Sequence, residues 1–406
     1  TAPLAALGAL TVVSALNASH RQAFLYDGLI LRPVPHLHWL PSSANPAGSL
    51  RVFACLGGLA ASGLAIVFCV HSRRALRGLV LGLAINALII AVLGTLQRQT
   101  GSAGPYFGAV PRANPAWFGT FLYHNHWGAF AVLHTAATLG LVFHSLRHPP
   151  TRGWANGPGP MLALVALIVA VTAPLSTSRS STLLILLLGL AATVGALREA
   201  FRSGSRRRSS RAGVLRAGIV LGGLALAAGV ASWQSREIIA ARTATTVRQI
   251  ADLRAGATGY TRADLYSDTW RMAADQPAFG WGLESYGRIF LNYCRFSPGS
   301  DGLMNTFEDA HSDWLQSLAE TGFVGTALLL AFGLLPMIET FRLRHLSSFS
   351  GWLLAGCALI AAYAWVEFPF ANPAVVASWW LFWFAALRTL QLTPTSTSSP
   401  LPAPGS

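Results

Sequence analysis

The stretch EDAHSDWLQSLAETGFVG, residues 308–325, sets His311 between Asp309 and Asp313 and then runs straight into the apolar TALLLAFGLLPMI. An unperturbed imidazole has a pKa of about 6.5, so near neutral pH a histidine can take a proton from a hydroxyl. Flanking carboxylates can orient such a ring, and they equally suit a helix N-terminus, where the macrodipole favours acids. Arginines elsewhere supply the complement. Arg179 sits in PLSTSRSSTLL (174–184), a very short turn between two apolar runs; Arg262 opens RADLYSDTWRMAADQP, and Arg271 follows nine residues later. Read on one helix, Arg271 points to roughly the same side as Arg262. Arginine is always charged and bonds phosphate bidentately, so a histidine with two or more arginines suits transfer from a diphosphate leaving group to a hydroxyl. No DxD-type carboxylate pair is present to hold a divalent metal, so the arginines would have to neutralise the diphosphate themselves. Each residue alone also has a plain reading: a histidine capping an interfacial helix, an arginine snorkelling to headgroups, a solvated loop charge.

The elements that must position these groups are membrane helices. The 406-residue chain is 53% hydrophobic and only 11% charged, too apolar for a soluble domain of this length. Apolar runs near twenty residues recur, each long enough to cross a hydrocarbon core of about 30 Å. Candidate spans fall at 2–18, 50–70, 78–96, 124–143, 160–175, 181–197, 213–231, 315–338, 350–368 and 373–390. The fold expected is therefore all-α, a polytopic transmembrane bundle. The chain begins at Thr1 and enters its first apolar run almost at once, which reads as a fragment lacking upstream residues rather than as a signal peptide.

Charge placement sets the expected topology. The net charge is +14, every strongly basic residue is arginine, and the arginines gather at 71–77, 144–158, 198–212 and 339–349. These loops alternate along the chain, so one orientation puts them all in the cytoplasm and argues against a nucleic-acid role. Residues 1–231 then hold spans one to seven, 232–314 form a large, slightly acidic periplasmic loop, and 315–390 hold spans eight to ten. The Pro/Ser-rich 391–406 read as a disordered cytoplasmic tail. Within the loop, 236–256 and 261–277 read as helices, the second stopped by Pro277, and FGWGLESYG (279–287) as a glycine-punctuated turn. The four cysteines show neither CxxC nor zinc-type spacing, so no disulfide framework or structural metal is implied.

Other polar residues are candidates for support. In YHNHW (123–127), His124 and His126 diverge on a helix and cannot chelate together, leaving Asn125 or His126 to line a donor site. Glu320 sits one turn inside span eight and Glu367 near the outer end of span nine; either could order the site. On a helix, His311, Leu315, Leu318 and Gly322 would share one face. Trp281, Tyr286 and Trp314 could stack on sugar rings, although aromatics are expected at membrane interfaces anyway.

These motifs carry a family resemblance. HSDWLQSLAETGFVG (311–325) fits the pattern H-[N/S/Q]-x9-G-x-x-[G/T/Y] of the O-antigen ligase and Wzy-type polymerase superfamily. AVLGTLQRQTG (91–101), FGTFLYHNHWGAFAVL (118–133), STSRSS (176–181) and RADLYSDTWRMAADQPAFGWGLESYG (262–287) resemble its other motifs in order, with His124 where an Asn is usual. The resemblance implies an all-helical membrane glycosyltransferase of about twelve spans, against about ten here, needing no metal, nucleotide or other cofactor. It implies His311 as the acceptor-activating base and Arg179 and Arg262 as binders of undecaprenyl pyrophosphate; Arg271 joins them on the helix reading. Asn125, His126, Asp309, Asp313 and Glu320 are the candidate supporting residues. The activity implied is inverting transfer of a glycan from undecaprenyl pyrophosphate to a hydroxyl of lipid A–core, at the periplasmic face of a bacterial inner membrane. A Wzy-type polymerase or a protein O-oligosaccharyltransferase shares the motif. From another class, a transporter of lipid-linked glycan or anions would use the arginines for binding alone.

Overall fold

The computed structural model describes residues 1–25, 28–111, 116–149, 154–203, 261–295, 307–341 and 346–393. The expected span at 213–231, the loop helix at 236–256 and the tail from 394 onward lie outside these residues.

The described chain is almost wholly helical, as its composition requires. It runs α1 (Ala2–Leu16), a hairpin of β1 (His20–Leu25) and β2 (Gly28–Pro33), then α2 (Pro46–Cys69), α3 (Arg73–Gln99), α4 (His124–Arg147), α5 (Gly159–Leu175) and α6 (Arg179–Ser203). After the undescribed segment come α7 (Arg262–Asp275), the short α8 (Tyr286–Ile289), α9 (Asp313–Phe341), α10 (Ser348–Tyr363) and α11 (Pro373–Gln391). The antiparallel hairpin, with His20 opposite Pro33, is the one sheet among the described residues and was not foreseen.

Six helices, α2, α3, α4, α6, α9 and α11, are long and apolar enough to cross a membrane, and α1, α5 and α10 are shorter apolar helices. Nine of the expected spans thus fall on apolar helices. Their starts follow local chemistry. The Asn45 side chain accepts from the Gly48 amide ahead of Pro46, Ser72 accepts from Ala75, and Asn372 accepts from Ala374 ahead of Pro373. On α3 the exposed Leu81, Ile85, Ile89, Val92 and Leu96 form a stripe suited to lipid, while Leu76, Val80, Ala84, Ala87 and Ala91 face protein.

α4 is the hub. Of its most apolar window 83% is buried, against 17–33% for α2, α3, α6 and α9. It packs against α3, α5, α6, α10 and α11. Small residues permit the close approach. A Cβ on Gly128 would stand 2.1 Å from Ser181 Oγ, and one on Gly356 would stand 2.7 Å from the Ala136 Cβ.

The loop after α7 crosses α9 by backbone-to-backbone bonding. Phe323 N donates to Pro277 O at 2.8 Å, Trp281 N to Ala319 O at 3.0 Å and Gly282 N to Glu320 O at 2.8 Å. Here α9 kinks: Gly322 takes φ +63° and ψ −171°. A side chain cannot be accommodated on either partner, since a Cβ on Gly322 would lie 2.4 Å from Ala278 C, and one on Gly280 (φ +69°) 2.3 Å from Glu320 C. The single helical face expected to run from His311 to Gly322 is therefore corrected. α9 begins at Asp313, after His311, and its regular turns break at Gly322.

Candidate active site

The polar end of the bundle gathers the start of α4, the α5–α6 turn, the start of α9 and the α10–α11 connection. α10 stops at Tyr363, five residues before the expected end of that span, so Glu367 lies in the connection rather than in a helix. Its side chain is only 3% exposed, yet it meets two of the candidate residues. Glu367 Oε1 accepts from Arg262 Nη2 at 2.6 Å, and Oε2 stands 3.9 Å from His311 Nδ1. That second distance is too long for a direct hydrogen bond and short enough for an ion pair once the imidazole is protonated. Burial pushes the Glu367 carboxyl up, but the His311 ring and the Arg262 guanidinium outweigh it and hold the group below the ordinary glutamate value. Burial alone would lower the Arg262 guanidinium; Glu367 more than offsets that and raises it.

Arg262 is placed by its helix start. Thr261 and Asp264 form a reciprocal capping box, which fixes the first turn of α7, and Arg262 Nη1 donates to Val366 O at 3.2 Å. One turn on, the Tyr266 hydroxyl donates to His311 O at 3.0 Å. His311 itself has φ +52°, a left-handed conformation uncommon outside glycine. The flanking contacts hold it there. Asp313 N donates to Glu367 O at 3.3 Å, Phe370 N donates to Asp313 Oδ2 at 2.8 Å, and the ring meets the edge of Phe368 at 4.6 Å. Such strain at a would-be base marks a position fixed by its surroundings.

The remaining candidates divide. Asn125 Nδ2 donates to the Tyr123 hydroxyl at 2.8 Å, and His126 Nε2 lies 3.1 Å from Phe368 O, so both sit beneath the α10–α11 connection. Tyr123 stacks on Phe368, and burial, followed by the Glu367 charge, pushes its hydroxyl up to about 12. Asp309 neighbours His311, and burial, opposed by that ring, raises its carboxyl. Asp313 braces the connection through Phe370. Glu320 is not with them: its Oε1 accepts from Tyr286 N at 3.0 Å and pins the loop crossing.

The arginines divide too. Arg179 opens α6 with its side chain exposed. Its turn reaches the site through two contacts. Thr177 Oγ1 lies 3.0 Å from His124 Nδ1. The buried Tyr363 hydroxyl, which has no hydrogen-bond partner among the described residues, lies near Ser178 and Ser181. Arg271 departs from expectation. At about 100° per residue, nine residues turn the helix by about 900°, half a turn away from Arg262 rather than back onto it. Arg271 Nη1 accordingly lies 3.2 Å from Asp268 Oδ1, on a buried carboxylate that also binds Arg295 Nε at 2.6 Å.

Tyr266, Tyr123, Phe368 and Tyr363 are parts of the site that sequence reasoning passed over. The four-residue step from Arg262 to Tyr266 was the available signal for one of them.

A bundle-end histidine and arginine thus share one buried carboxylate. Residues 164–330 match the O-antigen ligase family model. The match bears out the resemblance and supports placing the chain in the O-antigen ligase superfamily, a family of glycosyltransferase type acting on lipid-linked glycans. No curated protein matches the chain. The O-antigen ligase match takes in Arg179, Arg262, Arg271 and His311 and ends before Glu367, so the carboxylate that joins the two groups comes from outside the matched segment.

Proposed function

We propose that the protein is an O-antigen ligase-like inverting glycosyltransferase. It moves a glycan from undecaprenyl pyrophosphate to an acceptor hydroxyl, with lipid A–core oligosaccharide as the leading acceptor. The observation that carries this reading is Glu367 held between Arg262 and His311.

His311 Nδ1 is enclosed beside Glu367, which leaves Nε2 as the ring nitrogen to act as base. Nε2 takes the acceptor hydroxyl proton as its oxygen attacks the anomeric carbon from the side opposite the diphosphate. The anomeric C–O bond breaks, its electron pair leaves on undecaprenyl pyrophosphate, and the anomeric centre inverts. Glu367 orients the imidazole and stabilises the imidazolium that forms, as the carboxylate of a base–orienter pair does. Arg262 and Arg179 take up the diphosphate charge, which in this reading needs no metal ion.

The orientation follows from charge. Arg73, Arg74, Arg77, Arg147, Arg198 and Arg388 all lie at the helix ends opposite His311. Arg388 Nε there donates to Val70 O at 2.7 Å, joining the ends of α11 and α2. That basic end is read as cytoplasmic and the His311 end as periplasmic, in a bacterial inner membrane.

The test is transfer by purified protein given an undecaprenyl-pyrophosphate-linked glycan and an acceptor. The wild type transfers, and His311→Ala inserts normally but does not. Undiminished transfer by His311→Ala would remove the base from the scheme and favour a binding or transport role. The lipopolysaccharide of a knockout then separates the reactions: a lost ligase leaves bare lipid A–core, a lost polymerase leaves single repeats attached.

A further inference from the structure

The opposite end of the bundle holds a second feature. A cavity of about 550 Å³ opens between the end of α4, the end of α6 and the start of α10. Its lining includes Phe143 and Arg147 from α4, Arg198 and Glu199 from α6, and Ser348 and Trp352 from α10. The volume is in the range that takes a small ligand. We propose that this cavity binds the headgroup phosphate of an anionic glycerophospholipid, of the phosphatidylglycerol or cardiolipin type.

Charge, wall and surroundings each point that way. Arg147 Nε donates to Glu199 Oε1 at 2.8 Å, which accounts for the one carboxylate in the lining. Arg198 has no carboxylate partner among the described residues, so the cavity is net positive. The field extends beyond it: Arg73 and Arg77 of α3 act on His144, one turn from Arg147 on α4. Further along the chain from Glu199 the sequence carries Arg202, Arg206, Arg207, Arg208 and Arg211. Basic residues next to a membrane helix attract anionic lipid. The apolar wall is a stacked pair, Phe143 on Trp352, with ring centres 5.1 Å apart. Tryptophan favours the headgroup level of a bilayer, where one side of the ligand is wet and the other apolar. From there the exposed Leu183, Leu186, Leu187 and Leu190 of α6 provide an apolar surface along which acyl chains can lie. A free phosphate would use the arginine but neither the aromatic wall nor the leucines. The cavity is a bundle length from His311, so this site is independent of the proposed reaction.

Native mass spectrometry of the full chain, released from nanodiscs mixing phosphatidylcholine with phosphatidylglycerol or cardiolipin, tests the proposal. The wild type retains anionic lipid in preference to phosphatidylcholine. Arg198→Ala lowers that retention about fivefold, the worth of one basic residue at an anionic surface, and Arg198→Lys largely keeps it. Glu199→Gln, which frees Arg147 from its partner, raises retention. Equal retention of both lipid classes, no change in Arg198→Ala and Glu199→Gln, or displacement of the lipid by inorganic phosphate at comparable concentration would each overturn it.

Discussion

Arg262 and His311, 49 positions apart in the chain, face the two oxygens of one carboxylate: Glu367 Oε1 is 2.6 Å from Arg262 Nη2, and Oε2 is 3.9 Å from His311 Nδ1. The carboxylate is buried and both partners are partly open to solvent. Glu367 is bonded directly to the arginine. In the proposed reaction, a diphosphate that drew Arg262 away would leave the carboxylate to the imidazole.

Glu367→Gln keeps a group able to bond Arg262 but removes the charge facing His311. Transfer is expected to fall by about 10²-fold in kcat, within the range for disabling a general base, with a smaller change in donor KM. Steady-state kinetics with purified donor and acceptor decide this; a variant within twofold of wild type would show that Glu367 only props the turn.

The same residue gives a pH signature. The folded-state carboxyl is held below its ordinary value of about 4.3, so Glu367 contributes stability above that value and loses it as the pH falls through the folded value. The Tm gap between wild type and Glu367→Gln should be widest at neutral pH and close in acid. A gap that stays constant into acid would mean that the Arg262–Glu367 pair does not set it.

The two loop arginines should separate. Arg262→Ala is expected to raise donor KM by about tenfold or more, having lost a charge-assisted phosphate contact. Arg271→Ala should leave KM near wild type and lower Tm, because its charge is spent on Asp268. Equal KM effects from the two would mean that the loop helix turns on binding donor.

Gly322→Ala places a methyl 2.4 Å from a backbone carbon at a left-handed residue. A cost of at least about 1–3 kcal/mol is expected from the conformation alone, and more from the clash. Thermal unfolding in detergent reads it. An unchanged Tm would show that the crossing is not fixed in the way described.

Much of the fold was legible because lipid imposes a simple code. Apolar runs near twenty residues became helices, as backbone polar groups in lipid require. His311, Arg179 and Arg262 were singled out by residue type and motif, and two of them face the same carboxylate, Glu367. Glu367 was singled out only as one of two glutamates that could order the site. Nothing local distinguishes a carboxylate at a span end, and its partners arrive from loops 56 and 105 positions away. Arg271 was misjudged through helical phase, and His311 through an assumed helix start, when the turn before α9 is left-handed. The hairpin went unseen because its twelve strand residues carry no strong alternation.

The crossing of Pro277–Gly282 over Gly322 also has a mechanical side. With amides of each segment bonded to carbonyls of the other and no side chains between them, the segment after α7 has no slack where it crosses α9. A shift of α7 therefore tilts the first third of α9 with it, and His311, just ahead of that helix, moves in step with Arg262 rather than independently of it.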